Sequence, residues 1–128
     1  MAGLGDTFRI ADRDIDAHLH IVISDPAANP NAIVTANFTS WREDKDQSCV
    51  VEAGEHPQIS RRSCVDYRRP RLITLAQFER ATSLGQITPQ PPVSGPLLRR
   101  ILAGAAESAF IPLGNRQILV DQGLIEGG

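Results

Sequence analysis

Hydrophobic positions along this chain fall in short clusters separated by turn signals. Thr7-Phe8-Arg9-Ile10 alternates apolar and polar and predicts a first strand. Ile21, Val22 and Ile23 form an apolar run that predicts a second. Asp25-Pro26 and Asn29-Pro30-Asn31 stop it, because Pro cannot donate to a ladder and Asn tolerates turn geometry. Ile33-Val34-Thr35 opens a third strand, which ends in Thr39-Ser40. Residues 48–52 predict a fourth, broken by Ala53-Gly54-Glu55-His56-Pro57. Residues 63–67 predict a fifth, which residues 71–75 continue beyond a bulge.

The period then changes. Residues 76–81 read as one or two helical turns, and Thr88-Pro89-Gln90-Pro91-Pro92 as a stiff, extended connector. Ser94 is an N-cap with Pro96 in the first turn, and Leu97, Leu98, Ile101, Leu102 and Ala105 recur at helical spacing. A helix is expected near residues 95–108, weakened slightly by Gly104. Residues 112–128 form a tail in which Gln117-Ile118-Leu119-Val120 suggests a short strand. The order, short strands first and one good helix late, predicts a mainly β domain over residues 1–111: a small curled antiparallel sheet packed on a C-terminal helix.

Composition adds bounds. With 128 residues, 41% hydrophobic and 22% charged, the chain is long enough for one real core. No apolar run approaches the ~20 residues of a membrane span, and the N-terminus lacks the basic-then-apolar order of a signal peptide. A cytoplasmic protein with no membrane partner is the expectation. Cys49 and Cys64 have no metal-site spacing and read as reduced core thiols, with a disulfide between neighbouring strands as the alternative. Asp12, Asp14 and Asp16 alternate like a calcium loop but lack its Gly and Glu, and read as a solvated loop.

Charge is uneven. The net charge of -2 divides into an acidic first half and a basic second half, with Arg61, Arg62, Arg68, Arg69 and Arg71 close together. A local basic ridge in an acidic surround is compatible with an RNA site.

Several segments in this order resemble the PemK/MazF (Kid) family of toxin-like endoribonucleases. They are Gly5-Asp6 before the first strand, residues 20–24 ending in Val-Ile-Ser, and residues 31–40 ending in Thr-Ser. Residues 63–67 with Arg71-Leu72-Ile73, and the closing helix over residues 97–109, complete the set. The resemblance implies an SH3-like barrel of five to six strands, usually a homodimer. It also implies cleavage of single-stranded RNA without metal or other cofactor, through attack by the 2′-hydroxyl, with an acidic antitoxin peptide as partner. Where the family carries a catalytic Arg followed by Pro, this chain has His18-Leu19.

Such cleavage needs a base, an acid and a cation to stabilise the phosphorane. Histidine suits the first two. His56, in a Gly-Glu-His-Pro turn beside the basic ridge, is the first catalytic candidate, and His18 the second. Thr39 and Ser40 can hold phosphate or sugar; the competing reading is a turn-capping pair. Arg61, Arg62, Arg68 and Arg69 are candidate RNA-phosphate contacts, and Tyr67 a base-stacking one. Trp41 either stacks a base or caps the core, the core being preferred. The three histidines could alternatively bind zinc, but nothing completes a pattern. The expectation is that His18, Thr39, Ser40 and His56 share one concave surface. The alternative function is a non-catalytic SH3-like module that binds RNA or a protein partner.

Overall fold

Ile21, Val22 and Ile23 are all fully buried, and a strand with no solvent-facing side chain requires cover on both faces of its sheet. A computed structural model, which describes residues 2–11, 18–68 and 72–127, supplies that cover. In chain order the elements are β1 (Thr7–Ile10), β2 (His20–Val22), β3 (Ile33–Ser40), β4 (Val50–Val51), β5 (Ser63–Asp66), β6 (Leu72–Ile73), α1 (Leu75–Ser83), β7 (Ile87–Gln90), α2 (Gly95–Glu107) and α3 (Leu113–Asp121). The strands pair antiparallel in the order β4-β5-β3-β2-β1-β7, with β6 also on β3. The expected β-rich domain with a C-terminal helix is present. Its sheet has seven strands and is open, with β4 and β7 at its ends, so it is not a closed barrel.

β3 organises the sheet. One edge pairs β2, from His20↔Asn37 to Val22↔Thr35. The other takes β5 along residues 37–40 and then β6 at Ile33 and Val34. Alternation along the strands sorts side chains into two cores. Leu19, Ile21, Ile23, Val34, Ala36, Phe38 and Val65 face Leu97, Ile101 and Ala105 of α2 and Leu119 of α3. Phe8, Val22 and Ile33 face Phe78 of α1, with Ile87 alongside. Phe8 meets Phe78 edge-on at 5.1 Å and stacks on the buried His20 at 5.3 Å.

α2 starts where its predicted cap stands, whereas the expected strand over residues 71–75 gives way after Ile73 to the cap of α1. Thr74 and Gln77 form a reciprocal capping box on α1. Ser94 accepts from the Leu97 amide to cap α2. Gly104 is no weak point but a close approach. A Cβ there would lie 2.6 Å from the Tyr67 hydroxyl, 2.8 Å from Cys49 Cβ and 3.0 Å from the Ser48 carbonyl oxygen.

Two expectations change here. The connector becomes β7, an edge strand on β1 in which Pro89 sits opposite Phe8; an edge tolerates the missing donor. Residues 117–120 are helix, not strand. Asn115 and Leu119, four apart, turn inward, and α3 closes with Gly123 at φ 72, whose amide bonds the Val120 carbonyl while the Leu124 amide bonds that of Leu119. The aspartate loop lies outside the described residues. Cys49 and Cys64 are unbonded, buried thiols, and no helix among the described residues is long and apolar enough to cross a membrane.

Candidate functional site

Strand register brings distant residues to one end of the sheet. The Phe38 amide donates to the Leu19 carbonyl, so His18 and Leu19 lie beside Phe38 and Thr39 at the end of β3. On the far side of β3, Thr39 pairs with Cys64 and Ser40 with Ser63. The segment between β4 and β5 then carries Gln58, Ile59, Ser60 and Arg61 across the same end. The result is a shallow hollow of about 120 Å³, to which Arg9 contributes from β1, His18 from the approach to β2, Thr39 and Ser40 from β3, and Arg61 from the loop.

The groups in it are held. His18 Nδ1 lies 3.1 Å from the Phe38 carbonyl oxygen. A carbonyl only accepts, so Nδ1 carries the proton, and in the neutral ring the lone pair is on Nε2. Arg9 donates from Nε and Nη2 to Gln58 Oε1, at 3.2 and 3.1 Å, which ties β1 to the loop. Lys45 Nζ donates to Thr39 Oγ1 at 2.6 Å and to the Ser40 carbonyl at 3.2 Å. Arg61 is exposed, and its side chain makes no hydrogen bond or ion pair among the described residues. An unneutralised guanidinium next to hydroxyls and an imidazole is suited to bind a phosphodiester.

His56, the first catalytic candidate, is instead enclosed away from the hollow, at 2% exposure. Its Nδ1 accepts from the Gln58 amide at 3.0 Å, so the ring's proton is on Nε2, which donates to the Pro91 carbonyl at 2.5 Å. The Thr7 hydroxyl donates to the same carbonyl at 2.6 Å. These bonds fasten the turn after β4 to the end of β7. The expected shared surface therefore holds His18, Thr39 and Ser40 without His56.

Tyr67 is enclosed as well. It is fully buried, its hydroxyl donates to the Ile101 carbonyl at 2.6 Å, and burial pushes its phenol far up, so it cannot stack on a base. Arg68 lies outside the hollow and is paired with Asp66 at 3.2 Å, a bond that raises its proton affinity. Arg62 is paired with Glu52 at 3.1 Å and lies over the Trp41 ring at 5.4 Å. Trp41 is thus half-buried on the surface rather than a cap on the core, with its indole N–H donating to Gln47. Arg69 lies outside the described residues. Of the described arginines predicted to contact phosphate, Arg61 alone lines the hollow.

Sequence reading missed Arg9 and Gln58, which line the hollow, and Lys45, which lies outside it against Thr39. Arg9 sits at an alternating position of a predicted strand, a weak signal. Lys45 is the chain's sole lysine, a signal of composition rather than of place. Cys64, opposite Thr39, is no nucleophile: burial pushes its thiol up. Two larger concavities flank Phe78 of α1, but no histidine, arginine or lysine lines either. Among the described residues, no group of three or more His, Cys, Asp or Glu gathers as metal ligands would. No protein-family model matches this chain, and no curated protein matches it.

Proposed function

We propose that this protein is a toxin-like endoribonuclease that acts on single-stranded RNA at the hollow framed by His18, Thr39, Ser40 and Arg61. One observation carries the reading: an imidazole, two hydroxyls and a guanidinium from three separate stretches of the chain line a single hollow. His18 Nε2 accepts the 2′-hydroxyl proton as the 2′-oxygen bonds to phosphorus. The bond to the 5′-oxygen breaks, and that oxygen takes a proton from water. Arg61, with Arg9 beside it, stabilises the phosphorane charge, while Thr39 and Ser40 position phosphate and sugar. The same cations would attract an acidic antitoxin peptide. A homodimer in the cytoplasm is the assembly that the family resemblance implies.

The test is incubation of the protein with mixed single-stranded RNA, with and without chelator, followed by mapping of the new ends. Cyclic phosphate or 3′-phosphate ends in both samples are the expected result. Double-stranded RNA cut equally well, or 5′-phosphate ends, would refute the reading. A second reading, a binding module without catalysis, has one observation in its favour. His18 is the one histidine lining the hollow, so no second imidazole serves as acid. Salt-sensitive RNA binding with no new ends would select it.

A further inference from the structure

The 41–48 loop carries a role that the charged run in the sequence did not reveal. Its geometry is fixed by its own hydrogen bonds. The Lys45 amide donates to the Arg42 carbonyl at 3.1 Å, and Gln47 Nε2 donates to the carbonyls of Arg42 and Lys45 at 2.9 and 2.8 Å. Trp41 Nε1 donates to Gln47 Oε1 at 2.7 Å. Asp46 accepts from Ser48 and, at 2.5 Å, from the Ser108 hydroxyl, which anchors the loop to the end of α2. A loop braced in this way presents Lys45 from a fixed base.

Lys45 Nζ has donors only, so at 2.6 Å it must be Thr39 Oγ1 that accepts. A hydroxyl so held has one proton left to give, and among the described residues the Thr39 hydroxyl donates to no acceptor. Hydrogen bonds in a chain polarise one another, so the ammonium makes Thr39 a better donor. Asp46 and Asp66 stand near, but Asp46 is engaged by Ser48 and Ser108 and Asp66 by Arg68, and Lys45 makes no ion pair among the described residues.

Resting on the function proposed above, we infer that Lys45, which lies outside the hollow and reaches it only through Thr39, is a positioning residue: it turns the Thr39 hydroxyl proton toward a phosphate oxygen of single-stranded RNA. The chain's single lysine makes this testable in the whole protein. A non-cleavable 2′-O-methyl RNA oligonucleotide is titrated against wild type, Lys45→Met, Thr39→Val and the double variant. The Lys45 side-chain resonance of selectively labelled wild-type protein is followed in the same titration.

The expected outcome has four parts. The resonance moves with the binding curve. Lys45→Met weakens binding roughly tenfold and leaves the salt slope near wild type, because Lys45 acts through Thr39 rather than on a phosphate. The double variant is no weaker than Lys45→Met alone, because the two residues act as a unit. Lys45→Arg, which keeps charge and donors, recovers most of the affinity. Independent, additive losses, or wild-type affinity in Lys45→Met, would overturn the inference while Arg61-dependent binding left the functional reading standing. A wild-type protein that binds no RNA removes both.

Discussion

His56 and His18 show how the same residue type serves opposite ends. His56 is enclosed, with one ring nitrogen accepting from Gln58 and the other donating to Pro91. Its truncation empties a buried site, removes the acceptor of the Gln58 amide and leaves the Pro91 carbonyl with the Thr7 hydroxyl alone. His56→Ala is therefore expected to cost roughly 2–4 kcal/mol in urea unfolding, while the cleavage rate per folded molecule stays near wild type. A similar inversion applies to Gly104. Alanine there gains about 1 kcal/mol in helix propensity, but its Cβ enters space held by the hydrogen-bonded Tyr67 hydroxyl and by Cys49. Overpacking costs about 1–3 kcal/mol, so Gly104→Ala should be neutral at best and destabilising in most of that range. A clear rise in thermal midpoint would contradict this. Neither role was legible in sequence. A Gly-Glu-His-Pro turn looks reactive because its composition is unusual, and only the fold reveals which strand end it is tied to.

At the scale of elements, the legible features are those set by local chemistry. The first three strands, the capping residue Ser94, and the extent of α2 follow from alternation, caps and turn residues close in sequence. What escaped depends on partners far along the chain. The 87–90 segment is a strand because β1 offers an edge, and Pro89 tolerates that edge. Residues 117–120 have β-branched neighbours that favour a strand, but burial of Leu119 beside α2 and the Gly123 stop make them helix. Leu119→Ala is expected to cost about 2–5 kcal/mol. Gly123→Ala is expected to cost about 1–2 kcal/mol from its left-handed backbone alone, since no atom crowds the new Cβ. Equilibrium unfolding of both variants checks the ranking; a Gly123→Ala loss larger than that of Leu119→Ala would mean that α3 docks differently.

For the whole molecule, the buried acids set an alkaline limit. Burial raises the Cys49 thiol from 9.0 to about 11, and the Tyr67 phenol shifts in the same direction. The unfolded chain releases these protons first. Their stabilisation is thus full below about pH 9 and is lost as pH rises toward 11. Glu55 has the opposite sign: hydrogen bonds from Arg100 hold its carboxyl below 4.5, so its small, surface contribution fades in acid. Urea midpoints that fall above pH 9, with a shallower fall in Cys49→Ala, are the expected result. A midpoint unchanged to pH 11 would contradict the packing of Tyr67 against Cys49.

The hollow itself is a property of the whole sheet, since β1, β2, β3 and the approach to β5 must all be in register before His18 meets Thr39 and Arg61. Its most direct test is single-turnover cleavage of single-stranded RNA, in chelator, by wild type and His18→Ala. If His18 takes the 2′-hydroxyl proton, the variant cleaves about 100-fold more slowly or worse, while the loss of its hydrogen bond to the Phe38 carbonyl costs only about 1 kcal/mol in urea unfolding. Cleavage by His18→Ala at the wild-type rate would contradict the account.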